Sequence, residues 1–402
     1  MWSSLIQYIG SDNFYIHHRV SLQLFDKIHK KISPHIYTDP KYVRRTCVRG
    51  DVSHVDTRSR LSMTLKHLGG SRTCDIAHFQ GVSRTTVTNS IRATMSAILK
   101  EYPIPPFPFN NESMLQKMAD GFKSKSTDDL IDNVVGAVDG FLLRIGKRSI
   151  GNKSGIQDPS KFYCRKRYYA VNCQVCCDSN RKVTSLSMLS PGAVPDTLAF
   201  LKSSLHRGLE TGQLPKRFCI VGDGAYPSMD QILKPCKRPE LRRDTSGVKD
   251  SYNFYVSQLR INIECCFGML INKFPILQSA LKTPLLRNAV DIFTVCCIIH
   301  NLCIDERLEN NNNQPSMSFT PGKRYTQVAR ETTGRSVLQS HDDFEFVDIV
   351  DEVSADSVSI TGVRLNTGDV VDSDDDDDDM NIKERLLRKI VRKGYVRPRQ
   401  TV

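Results

Sequence analysis

Two short apolar runs, far apart in the chain, close on the same dipeptide. Val134-Val-Gly-Ala-Val-Asp-Gly140 and Phe218-Cys-Ile-Val-Gly-Asp-Gly-Ala-Tyr226 each end a block of β-branched and small apolar residues with Asp-Gly. A run of that composition and length predicts a buried strand, and the glycine predicts a turn. Each strand should therefore present one acid at its tip, Asp139 in the first and Asp223 in the second.

The residues between them supply the rest of an α/β pattern. Tyr168 to Cys177 and Lys182 to Leu189 read as two strands joined by a turn at Asp178-Ser-Asn-Arg181. Thr197 to Leu209 reads as a helix for which Asp196 supplies the N-cap. Three antiparallel strands, a crossover helix and a fourth strand parallel to the first is the order of the ribonuclease H-like fold, a mixed five-stranded sheet with flanking helices. In that order the tips of strands one and four are neighbours, so Asp139 and Asp223 can share a cation.

A third acid comes from a helix expected from about Ser251 to Phe274. Leu259, Ile263, Phe267 and Leu270 mark its apolar face and Glu264 lies on the rim, where its carboxylate could meet the strand tips. The alternative is a surface i,i+4 ion pair between Arg260 and Glu264. Asp196 is a further candidate metal ligand, for which a helix cap is the simpler account. Two strand-tip aspartates and a helical glutamate form the set that holds two divalent metals over a phosphodiester. Three such carboxylates repel one another unless cations stand between them, and an all-oxygen set suits Mg²⁺ or Mn²⁺. Asp139, Asp223 and Glu264 are thus the expected catalytic and metal-binding residues.

Charge points to the substrate. The chain is +12 overall, yet residues 341–379 carry fifteen acids and one arginine. The first 340 residues are accordingly about +19, a surplus that favours nucleic acid. Lys147, Arg148, Arg165, Lys166 and Arg167 are candidate phosphate contacts, with a solvated basic face as the alternative. The thirteen cysteines are scattered through apolar runs, as core residues would be. Cys173, Cys176 and Cys177 have half the spacing of a zinc site but no second pair. His300, on an apolar helix from Val290 to Cys303, reads as a core histidine in preference to a ligand. No uninterrupted apolar run approaches 18 residues, which argues against a membrane span.

Residues 1–105 read as a helical domain with a helix-turn-helix at about 73–100. Ala77 permits close helix approach, Gly81 makes the turn, Ser83 caps the second helix and Val87 packs it. Arg84, Thr85, Thr86, Thr88 and Asn89 would then face DNA, unless the unit is a purely structural bundle. Residues 106–130 read as a proline-rich linker, 131–305 as the nuclease domain, and 306–402 as a disordered tail. That tail holds the Asp374–Asp379 run and a basic segment, Ile382 to Lys393, with the makings of a short helix.

Gly136-Ala-Val-Asp-Gly140, Tyr168-Tyr-Ala-Val-Asn-Cys-Gln174, Pro191-Gly-Ala-Val-Pro-Asp196, Gly222-Asp-Gly-Ala-Tyr-Pro227, Arg260-x-x-x-Glu264-x-x-Phe-Gly268 and His300-Asn301 occur in one order. Together they resemble the PIF/Harbinger transposases and the Harbinger transposase-derived nucleases over about residues 58–305. The resemblance implies a DDE endonuclease with its triad on Asp139, Asp223 and Glu264, a divalent metal, DNA as substrate and a nuclear location, with a cytoplasmic pool allowed. It also implies a separate Myb-like or SANT-type partner; a homodimer stays open. Where the family continues Asp-Gly with Thr-His, this chain has Phe141-Leu142, and Pro195 replaces a common histidine. The rival reading is a domesticated DNA-binding protein whose cleavage has decayed; a ribonuclease shares fold and metals.

Overall fold

The computed structural model describes residues 10, 13–38, 55–150, 156, 158–313, 380–395 and 397, the side chains of 311–313 excepted. Four helices lead the chain: α1 (Leu22–Ile36), α2 (Thr57–Leu68), α3 (Thr73–Gln80) and α4 (Arg84–Glu101). Ser21 caps α1, Asp56 caps α2 and Ser83 caps α4, each accepting from a backbone N–H of the first turn. Gly81 closes α3 with φ 63°, a left-handed turn that a side chain would strain. Ala77 and Val87 are buried where α3 and α4 pack.

The region expected to be a linker contains a helix, α5 (Glu112–Lys123), capped by Asn111. Leu115, Met118, Ala119 and Phe122 recur at helical spacing on its buried face, and the preceding prolines mask that pattern in the sequence.

The sheet that follows is five-stranded, ordered β3-β2-β1-β4-β5. Its members are β1 (Val134–Arg144), β2 (Ala170–Cys177), β3 (Val183–Pro191), β4 (Cys219–Val221) and β5 (Ile232–Leu233). β1 pairs antiparallel with β2 and parallel with β4, and β4 pairs parallel with β5. Two short helices, α6 (Asp196–Leu201) and α7 (Ser204–Glu210), cross from β3 to β4. After α8 (Arg238–Arg242) come the long helices α9 (Val248–Lys273) and α10 (Leu286–Asn313), and last α11 (Ile382–Arg392). This is the ribonuclease H-like arrangement, with a helical region ahead of it.

Each face of the sheet carries its own apolar cluster. Residues of β1 divide between them, the alternation broken by an irregularity between Val134 and Gly136: Val134 and Ala137 join Val171, Val175, Leu259, Ile263 and Phe293 in one. Val135 and Val138 join Cys176, Phe200, Leu205 and Tyr226 in the other. The first cluster continues without a break into the N-terminal helices, from Phe14 through Phe25 and Ile98 to Ile390 of α11. The helical region and the nuclease fold therefore share a core rather than standing as beads on a linker. The described residues up to Glu306, together with those of 380–397, form one compact unit. α10 runs past the expected boundary at 306, to Asn313; the tail read as disordered lies largely outside the described residues. The Leu286–Asn310 stretch is long and apolar enough to cross a bilayer by composition, but 67% of its apolar window is buried inside the protein. It is a core helix.

His18, fully buried, anchors the N-terminal helices. Its Nδ1–H donates to the Phe14 carbonyl at 3.0 Å, its Nε2 pairs with Ser62 Oγ at 2.8 Å, and its ring stacks on Phe14. Burial, aided by the Lys66 charge, pushes its pKa down to about 4 against the pull of the Phe14 carbonyl. The unfolded chain takes up this proton near pH 6.5 and the folded chain only near 4. The contribution to stability is therefore full above pH 6.5 and lost as pH falls through 4, by roughly 2–3 kcal/mol. Denaturant titrations at pH 7 and 4.5 should show this loss in the wild type and less of it in His18→Gln.

Candidate active site

β4 pairs with β1 only as far as Ala137 and Val221, which face each other in the parallel register. Two residues further along each strand stand Asp139 and Asp223. Equal steps along neighbouring parallel strands keep side chains on the same face and backbones roughly 5 Å apart. The two acids therefore come to one level where β4 ends. β1 itself does not end: it continues through Asp139, opposite Val175 of β2, to Arg144. The expected turn at Gly140 is absent. Asp139 is a mid-strand residue made accessible because its β4 neighbour turns away.

Backbone amides fix both carboxylates. Gly140 N–H donates to Asp139 Oδ1 and Ala225 N–H to Asp223 Oδ1, each at 2.8 Å. Burial raises the Asp139 pKa to about 6; the Gly140 N–H opposes it, Asp223 adds to it, Arg260 lowers it and Asp196 raises it further. That is the behaviour of a buried carboxyl with like charge nearby as a smaller contribution.

Gly140 has a packing reason. A Cβ there would lie 2.2 Å from Asp196 Oδ1, so the glycine lets the two backbones close up. Because Gly140 and Asp139 point to opposite faces, Asp196 lies across the sheet from the Asp139 side chain. Asp196 is the first residue of α6 and not its cap; the N-cap position is Pro195, which makes no side-chain capping bond. Instead Oδ1 accepts from Asn172 Nδ2 at 2.8 Å and Gln174 Nε2 at 3.3 Å, and Oδ2 is 3.8 Å from Arg165. Gln174 Oε1 in turn accepts from the Tyr226 hydroxyl at 2.6 Å. Sequence reading singled out neither Gln174 nor Tyr226. Their only local signal is a polar side chain, Asn172 and Gln174, at alternate positions of a strand otherwise buried throughout.

Glu264, halfway along α9, is held by Arg260 at 2.5 Å, the i,i+4 pair weighed as its alternative. The Arg260 charge also reaches Asp139, whose pKa it lowers. Among the described residues, no three His, Cys, Asp or Glu side chains are grouped closely enough to hold a metal ion. The structure thus brings Asp139 and Asp223 together, leaves Glu264 paired with Arg260, and turns Asp196 to other partners.

His300 is a core residue, its Nε2–H donating to the Arg181 carbonyl at 2.8 Å. Asn301 clamps both the N–H and the carbonyl of Val183, each at 2.8 Å. The pair ties α10 to the β2–β3 hairpin. Cys173, Cys176 and Cys177 are buried in β2. Of the basic candidates, Lys147, Arg148, Arg165, Lys166 and Arg167 are all exposed. On α4, Arg84, Thr85, Thr88 and Asn89 are exposed and Thr86 partly so. The Thr86 hydroxyl pairs with Ser83, and that of Thr88 donates to the Arg84 carbonyl.

Residues 138–301 match the family model described as DDE superfamily endonuclease. The chain is 24% identical over 234 residues to the protein named "Putative nuclease HARBI1" of Rattus norvegicus and to its Mus musculus counterpart, and 22% identical to that of Homo sapiens. Each match covers 57% of this chain and 62% of the relative, so the alignment spans less than two thirds of the relatives' length. A piggyBac transposase solved as a synaptic complex with hairpin DNA aligns over 82% of this chain and 86% of its own, at 11% identity and a TM-score of 0.36. That likeness is too slight to argue from. Over residues 138–301 the chain thus resembles the DDE superfamily endonucleases, and it is similar to nuclease-named relatives.

Proposed function

We propose that the chain is a divalent-metal-dependent DNA endonuclease of the PIF/Harbinger transposase type. The observation that carries this is the crowding of Asp139 and Asp223 at the end of β4, inside a domain of the endonuclease family. Two carboxylates at one level, one pushed toward protonation by its surroundings, suit a cation that the donor chemistry identifies as Mg²⁺ or Mn²⁺. Asp139 and Asp223 would hold it, each oriented through one oxygen by a backbone N–H and keeping a second oxygen for the cation. Glu264 would complete the set by exchanging Arg260 for metal, and Arg260 would then be released toward phosphate. The ions would neutralise charge and acidify a water, in the two-metal manner. The protein's own part is to align the phosphodiester: Arg165 to Arg167 and Lys147 to Arg148 are exposed cations of the same domain. Arg84, Thr85 and Asn89 would contact DNA from α4, while Thr86 and Thr88, with hydroxyls engaged, would serve the helix first. Nuclear location and a Myb-like or SANT-type partner complete the reading on the strength of the resemblance alone.

The second reading, a DNA-binding protein with decayed cleavage, is favoured by the Arg260–Glu264 pair and the absence of an assembled three-acid group among the described residues. A nicking assay separates the two. Duplex DNA should be nicked in Mn²⁺ and spared in EDTA. Binding without nicking, in every divalent cation tried and with the Myb-like partner present, would establish the second reading.

A further inference from the structure

The basic segment near the C-terminus folds onto the nuclease domain. Ile382, Leu386 and Ile390 bury one face of α11, and the Tyr395 ring packs edge-on to Tyr255 of α9. Lys383 pairs with Glu240 at 3.6 Å, Lys389 with Asp132 at 3.1 Å and Arg397 with Asp250 at 3.3 Å. These three fasten the helix. Arg385, Arg388 and Arg392 recur every three or four residues along an adjoining stripe, and Lys393 continues it. The stripe forms one wall of a cleft of about 690 Å³ whose other wall includes Gln116, Asn133 and Arg217. Arg217 arrives already oriented, paired with Glu112 at 2.7 Å and stacked over Phe218. Asp132, the one acid among the cleft residues, is taken up by Lys389.

We infer that this cleft is a second binding site for the phosphate backbone of duplex DNA, separate from the carboxylate centre. Guanidinium groups beside neutral amide donors match phosphate oxygens, which take both charge-assisted and ordinary hydrogen bonds. From Arg385 to Arg392 the helix rises about 10 Å, the length of some three phosphates along one strand. The cleft opens where β1 and β4 begin, whereas Asp139 and Asp223 lie where β4 ends. Asn133 to Asp139 is six residues of strand, about 20 Å, and Ser251 to Glu264 along α9 is a similar distance. A duplex held at the carboxylates would need about six base pairs beyond the scissile bond to reach the cleft. The site would thus measure flanking DNA rather than the cut itself. This inference rests on DNA being the substrate, not on cleavage being retained.

The test is the salt dependence of binding to fluorescent duplexes of 40 and 10 base pairs, using the full chain. The double variant Arg385→Gln, Lys393→Gln leaves the three fastening pairs intact, and circular dichroism checks its fold. Each lost phosphate contact lowers the slope of log K against log salt by about 0.9, so a fall of about 2 is expected on the long duplex and no larger a fall on the short one. An unchanged slope on the long duplex overturns the inference. The same variant made in a chain with Asp374–Asp379 replaced by Asn decides the occupant. Loss of affinity seen only there would assign the cleft to the chain's own acidic run, and would also overturn it. Absence of nicking by the wild type would touch the proposed activity and leave this binding result standing.

Discussion

Asp223→Asn should abolish metal-dependent cleavage, by about 10³-fold or more, and leave duplex affinity within about a factor of two. Asn has the shape of Asp and retains an oxygen to accept from Ala225 N–H, so the turn after β4 keeps its hydrogen bond. What is lost is one unit of negative charge at the level of Asp139, where nothing in the backbone can replace it. Affinity for duplex DNA comes instead from cations that this substitution does not touch, and removing a carboxylate near phosphate slightly favours binding. Nicking rates in Mn²⁺ and fluorescence anisotropy, measured on one preparation, give both quantities. Cleavage at the wild-type rate would exclude Asp223 from the reaction. Joint loss of cleavage and affinity would mean that the acid serves the fold or the DNA surface.

The strand order and the pairing level of the two aspartates were legible because both depend on local pattern. β-branched runs closed by Asp-Gly mark strands, and the sequence order of strands and crossover helix leaves few ways to lay them side by side. Gly140 misled because glycine has two uses, turning a chain and admitting a close neighbour, and only the folded chain shows the second. α5 was overlooked although Asn111 and the spacing of Leu115, Met118, Ala119 and Phe122 announce it; the prolines before it spoke louder. The hydrogen-bonded group of Asn172, Gln174, Asp196 and Tyr226 joins β2 to the loops after β3 and β4, and no window of sequence contains it. The choice between metal and Arg260 for Glu264 is likewise a matter of geometry and occupancy, which periodicity along α9 places within reach but cannot decide.

Asp139→Asn should act on stability with the opposite sign to its effect on activity. The unfolded Asp139 carboxyl releases its proton near pH 3.8 and the folded one near 6. A raised acid favours the fold fully below 3.8, and that contribution is lost as pH rises through 6. Above pH 6 the metal-free protein holds an ionised carboxylate, partly buried and beside Asp223, at a cost of about 2 kcal/mol after discounting for its residual exposure. Asn is neutral throughout and keeps an acceptor for Gly140 N–H. In EDTA at pH 8 the variant should melt about 3 °C above the wild type, and at pH 5 the difference should shrink. Millimolar Mg²⁺ should then raise the wild type by linkage and leave the variant nearly unmoved, narrowing or reversing the order. Equal melting temperatures in EDTA at pH 8, or equal responses to Mg²⁺, would show that the crowding at Asp139 is relieved by something other than a metal. Arg260, which pairs with Glu264 and lowers the Asp139 pKa, would be the group to substitute next.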